Sequence, residues 1–296
     1  MGKSFGLDSR KHAPQMLLVP GSWAEQEEIR RSWWAVLLLD RYMHLTFPGH
    51  ALNTEDPHQD EVLPAEDTLF DQAEMCGNEP LHVASPTSLK AGPFARSCQA
   101  AYLMGKVVNV LNEFAQESGT RFTLAIQVYH TVTAFSKVVQ AEFDACPESF
   151  ATPMALTYSA LIALCDPFCC TITNRGAHTV EETELQILCI RGLKTTSDDA
   201  ARLALQLRSS MTTRHSAISP LIGHCLYMAT VTFAWRVYEG EKSSSQAHDV
   251  LREALSSFNG RWAVGMEYLN ALDRAKDLLY TSPAYQLIGG PPGLTS

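Results

Sequence analysis

The chain has 296 residues, with 46% hydrophobic and 19% charged residues and a formal net charge of −9. This length can bury a large core, and the composition is that of an ordinary globular protein rather than a disordered one. The acidic balance repels phosphate and the Lys and Arg are scattered without a cluster, so direct nucleic-acid binding is not expected, and no apolar run reaches the ~18 residues of a membrane span.

The first predicted element is a helix over residues 27–42. It starts on charge, is apolar without a break from Trp33 to Leu39, and closes on Asp40 and Arg41. A helix that is apolar all round should be central and buried. Arg30, Arg31, Asp40 and Arg41 lie at the rim of that run and are expected to pair with neighbouring groups, because unpaired buried charge is costly.

An acidic loop over 45–89 follows. Between Tyr42 and Leu89 there is no Lys or Arg, while Glu55, Asp56, Asp60, Glu61, Glu66, Asp67, Asp71, Glu74 and Glu79 match the whole net charge. A solvated loop is the first reading. The alternative is an interaction or activation-like segment, because Val62, Leu63, Leu69 and Phe70 are interspersed with the acids.

Helices then fill the chain. One is predicted from Phe94 to Gln116, ended by Ser118-Gly119, and one from Phe122 to Ala145, stopped by Pro147. A third starts near Pro153, a good first-turn residue, and ends near Cys165 before Asp166-Pro167. Residues 180–211 are helical, with a break expected between Gly192 and Asp198, where Ser197, Asp198 and Asp199 could cap a second half. Glu181, Glu182 and Glu184 suit the first turn of that helix. Ser219-Pro220 opens a helix to Tyr238, a polar linker spans Glu239 to Ser245, and helices over 246–258 and 261–280 are separated by Asn259-Gly260. The expected organisation is one all-α, multi-helix domain over 1–282 and a loose Gly/Pro-rich tail over 283–296, with no strand pattern, internal repeat or long heptad.

No chemistry-bearing motif stands out. The chain lacks a His-Glu-x-x-His helix, a Gly-x-Gly-x-x-Gly turn, a phosphate loop and a Gly-x-Ser-x-Gly elbow. Asp198-Asp199 lacks the third acid of an aspartate-rich magnesium motif. Tyr129-His130 and His224-Cys225 are read as polar groups satisfied in the core or at a groove, and Trp235, Trp262 and Tyr268 as core anchors. The eight cysteines include no Cys-x-x-Cys, and only Cys165, Cys169 and Cys170 cluster, so buried reduced thiols are expected rather than a zinc site. No catalytic, metal-binding or DNA-binding residue and no cofactor is assigned.

The segment Glu28-x-Arg30-Arg31-x-Trp33-Trp34, its apolar run and the closing Asp40-Arg41 resemble the signature helix of the fungal-specific transcription factor domain. That domain is the middle homology region of zinc binuclear cluster regulators. Leu63-Pro64 with Glu66 and Asp67 match the loop that follows the signature in that family, and Met1 to Asp8 resemble the tail of the helix before it. The resemblance is specific over residues 1–75 and general over 90–282. It implies an all-helical regulatory domain of a nuclear transcription regulator tuned by a small-molecule effector. The family's six-cysteine zinc cluster is missing, and the chain enters the family domain partway, so the core around Trp33 and Trp34 is expected to be open unless a partner fills it. Partners would be a full-length zinc-cluster regulator or a second copy. The competing readings are an enzyme that reuses the helical pocket for an isomerisation or cyclisation in secondary metabolism, and a DNA-free modulator, cytoplasmic if it stands alone.

Overall fold

The computed structural model describes residues 20–47, 51–58, 61–81, 91–113, 121–169, 179–213 and 218–281. Among them the regular structure is helical: α1 (Trp23–Thr46), α2 (Asp67–Asp71), α3 (Pro93–Glu113), α4 (Arg121–Ala145), α5 (Pro147–Cys165), α6 (Val180–Thr213), α7 (Ile222–Tyr238), α8 (Ser244–Phe258) and α9 (Val264–Thr281). A 3-10 turn over Asp166–Phe168 closes α5. One antiparallel bridge, Val62 to Pro80, is the sole β pairing among the described residues. The all-α class is therefore as expected. The tail over 283–296, residues 1–19 with the expected upstream helix end, and the Ser118-Gly119 stop lie outside the described residues.

The centre of the bundle is α5, and this corrects the expectation for α1. Helix α5 packs on α3, α4, α6, α7 and α1. From Met154 to Ile162 every one of its side chains is buried. Its residues are mostly small or apolar, and its three hydroxyls in this stretch, Thr157, Tyr158 and Ser159, all find partners. Helix α1 instead buries one face, with Trp34 and Leu37 at 0% exposure, and leaves Leu39 52% exposed. An unbroken apolar run therefore placed a helix in the interior for α5 and only against it for α1. The two differ in their charged flanks, which tie α1 to the rim.

Several boundaries move for local reasons. Helix α1 starts four residues before the predicted segment because Ser22 and Glu25 form a capping pair. The Ser22 hydroxyl accepts from the Glu25 N–H at 3.2 Å, and the Glu25 carboxylate accepts from the Gly21 N–H at 2.7 Å. Pro147 does end α4 at Ala145, but it also occupies the first turn of α5 after the single residue Cys146. Pro153, expected to start the helix, sits inside it and leaves the Ser149 carbonyl without its usual helical donor. Helix α7 begins at Ile222, after a turn in which Ile222 N–H reaches the Ser219 carbonyl.

The break predicted between Gly192 and Asp198 does not occur, since α6 is continuous from Val180 to Thr213. Gly192 serves a close approach instead. A Cβ there would lie 2.7 Å from Tyr129 Cε2 and 3.1 Å from Cys165 Sγ. Ser197 caps nothing; its hydroxyl donates to the Lys194 carbonyl one turn back. The true cap of α6 is Thr179, whose hydroxyl accepts from the Glu182 N–H.

The described part of the acidic stretch is docked on the helices through 61–67 and 78–81, while 71–75 stay exposed. Leu63, Ala65 and Leu81 are buried. Helix α2 ends in a Schellman turn, with Glu74 N–H to the Leu69 carbonyl at 2.8 Å and Ala73 N–H to the Phe70 carbonyl at 2.9 Å. The left-handed position of that turn holds Ala73, at φ 55°. An L-residue with a Cβ is strained there, whereas Gly is not. Replacing Ala73 by Gly is expected to raise stability by about 0.5–1 kcal/mol, read as a higher urea midpoint at unchanged slope.

Candidate functional site

The residues singled out in the sequence converge where α1 meets the acidic segment. Near the N-terminal half of α1 the organising group is Glu27, which is fully buried, whereas Glu28 is exposed. The Glu27 carboxylate pairs with Arg30, lies 3.3 Å from Arg31 Nε, and accepts from the Ala65 N–H at 2.6 Å and from Asn78 Nδ2 at 3.1 Å. Arg31 reaches past it. Its guanidinium donates to Asp67 Oδ1 and to the Ala65 carbonyl, both at 2.8 Å, and lies 4.1 Å over the Phe70 ring. Asp67 also accepts from the Phe94 N–H at 3.1 Å, which caps α3. One carboxylate thus joins α1, α2 and α3.

The tryptophans differ in role. Trp34 is fully buried, and its indole Nε1–H donates to the Val62 carbonyl at 2.9 Å. Trp33 is half-buried and meets Trp34 edge-on at 4.8 Å between centroids. The expected opening of the core is therefore not found at Trp34. Leu63 and Pro64 are both buried, and Leu63 N–H pairs with the Glu79 carbonyl at 2.7 Å.

At the C-terminal half, Arg41 is fully buried. It donates to Asp40 Oδ2, Thr54 Oγ1, the Thr54 and Glu55 carbonyls and Asp56 Oδ1, at 2.6–3.2 Å. Burial pulls the guanidinium below its ordinary pKa, while Asp56 and Asp40 oppose that shift. Burial alone would raise the Asp40 carboxyl, but hydrogen bonds from Thr54 and Asn53 hold it below its usual value. Asp56 is shared with Lys106 of α3 at 2.8 Å. Gly105 lets α3 pass this cluster, because a Cβ there would lie 2.7 Å from Arg41 Nε. The whole arrangement is an ionic clasp that ties α1 to the acidic segment and to α3.

Two further polar groups lie apart from the clasp. Arg236 of α7 donates to Asp198 of α6 at 2.6 Å and to Glu241 at 2.8 Å, tying α6, α7 and the following turn. Asp198 is thus an ion-pair partner rather than a cap. Asp199 pairs with Arg202, and burial raises its carboxyl above the ordinary value.

In the core, His224 Nδ1 lies 3.2 Å from Ser159 Oγ, and the Tyr42 ring stands edge-on to the imidazole at 6.0 Å. Tyr42 in turn meets Tyr268, hydroxyl to hydroxyl, at 3.5 Å. Burial pushes His224 down to about 4. Above its unfolded value of ~6.5 the imidazole is neutral in both states; between there and 4 only the unfolded chain takes up the proton, so stability falls with pH. The loss, about 3 kcal/mol in all, is expected as a steeper acid decline of wild type than of His224→Gln in paired urea titrations.

Other expectations resolve more simply. Tyr129 is buried and His130 exposed; Trp262 and Tyr268 pack against the core, and Trp235 is half-exposed. Cys98, Cys165, Cys189 and Cys225 are buried free thiols, while Cys146 is exposed. Among the described residues no group of three or more His, Cys, Asp or Glu could hold a metal ion, and no helix is long and apolar enough to cross a membrane. A shallow cleft between α6 and α8, lined by Leu205, Arg208, Val250 and Glu253, has room for about one water. Sequence reasoning missed Glu27, Asn78 and Thr54. The spacing of Glu27 to Arg30 and Arg31, at i+3 and i+4, was the available signal for the first. No protein-family model, curated protein or solved structure matches the chain.

Proposed function

We propose that this chain is a transcription regulator of the fungal-specific transcription factor type, or the regulatory domain of one, acting in a gene cluster or metabolic pathway without a DNA-binding module among these residues. One observation supports the reading. Two pairs of the residues that carry the resemblance are in contact, Arg31 with Asp67, 36 positions apart, and Asp40 with Arg41. Shared motif residues that hold one another are what a common fold requires, whereas a chance resemblance leaves them scattered. On this reading the protein works in the nucleus with a full-length regulator or a second copy as partner, takes its DNA specificity from the full-length regulator, and responds to a small-molecule effector.

The enzyme alternative has one chemical pair in its favour, Ser159 with His224. Both are buried in the core, at 0% and 5% exposure. Deletion of the gene in the source organism separates the two. Changed transcript levels of a set of pathway genes are expected. Accumulation of one unprocessed metabolite with transcripts unchanged would overturn the regulatory reading.

A further inference from the structure

Among the described residues, the outward face of α1 gathers several large exposed apolar side chains. Leu39 and Met43, at i and i+4, are 52% and 49% exposed, and Phe47, the C-cap residue just past the helix, is 64% exposed. Val36, one turn earlier at the same angle, is half-exposed. Together they form a continuous apolar seam opposite the face that carries Trp34, Leu37 and Leu38 into the core. The same outward face continues toward the N-terminus through Ser32 to Glu28 and Glu25, all exposed. The seam is therefore apolar at one end and acidic at the other, and the chain beyond it carries no Lys or Arg from Met43 to Leu89. Val36, Leu39 and Met43 follow the three-four spacing along which a second helix packs at a shallow angle.

We propose that this face docks a basic amphipathic helix of another protein, with Leu-type anchors over Leu39, Met43 and Phe47 and Lys or Arg against Glu25 and Glu28. The inference does not depend on the regulatory reading. A second copy of the chain is the poorer occupant on two counts. Three half-exposed side chains fall well short of the roughly 800 Å² per partner that a stable dimer buries. Two copies would also bring acidic surfaces, each on a chain of net charge −9, against one another. A single helix needs only a few spaced anchors, and opposite charge steers it onto the seam.

The test uses the full chain and a labelled 21-residue helical peptide with Leu at the heptad a and d positions and Lys elsewhere. Binding is read by fluorescence anisotropy at physiological salt. One-to-one binding is expected, weakened at least tenfold in Leu39→Glu/Met43→Glu and unchanged in Val138→Glu, a control on the exposed face of α4. The added acids make the double variant more attractive to a cation, so diffuse attraction would leave its binding intact or strengthen it; that result, or no binding, overturns the proposal. Equal binding of the Glu-for-Lys peptide would overturn the charge argument. A dimer of the chain alone in sedimentation, abolished by the double variant, would make a second copy the occupant instead. The altered side chains are exposed, so an unchanged unfolding curve establishes that the variants are folded.

Discussion

Glu27→Ala is expected to lower stability by about 3–5 kcal/mol, while Glu28→Ala, one residue on, stays within about 0.5 kcal/mol. The contrast follows from burial. Glu27 is enclosed and serves four groups at once: Arg30, Arg31, the Ala65 N–H and Asn78. Removing it leaves Arg30 without its carboxylate partner, takes one of two carboxylates from Arg31, and leaves a buried backbone N–H without an acceptor. Arg31 would keep Asp67 and the Ala65 carbonyl, so the clasp should loosen before it separates. Glu28 projects to solvent, where charge contributes little. Paired urea titrations decide it, and a loss of equal size for the two variants would mean that Glu27 does not organise this region.

Trp34→Ala carries the other large effect, again about 3–5 kcal/mol. The indole is the largest fully buried side chain, and its N–H is the direct link from α1 to the Val62 carbonyl on the segment beside the β-bridge. Truncation would leave a cavity and take the indole donor from the Val62 carbonyl together. Trp33→Ala should cost less, because that ring is half-buried. An unfolding midpoint that did not move for Trp34→Ala would mean that the indole is not enclosed as described. A smaller urea slope for the same variant would indicate that the acidic segment had already come away from α1 in the native state.

How far the chain could be read in advance depends on the range of the interaction concerned. The order and type of the long helices were legible because periodicity and Pro, Gly and Ser signals act within a few residues. Helix α4 stops before Pro147 for that reason. The failures came where two local signals competed. Gly192 and Ser197 read as a break, yet Gly192 is there for the Tyr129 ring on α4. Pro153 read as a start, yet the first turn was already supplied by Pro147.

For the clasp, the charged residues of α1 were marked correctly as needing partners, and Asp67 was marked separately. That Arg31 meets Asp67, and that Arg41 meets Thr54 and Asp56, could not be seen, because nothing in a linear pattern says which buried charge lies opposite which. That Glu27 rather than Glu28 faces inward could not be seen either: the two differ by about 100° around the helix, and only the packing of α1 says which direction is buried. By itself the sequence determined an all-helical chain with a strongly acidic segment and a charged, Trp-rich first helix, because composition and helical periodicity are local properties. The tertiary structure alone decided that α5 is the centre, that the acidic segment is docked by ion pairs, and that α1 keeps one apolar face bare, because burial depends on which distant surfaces meet.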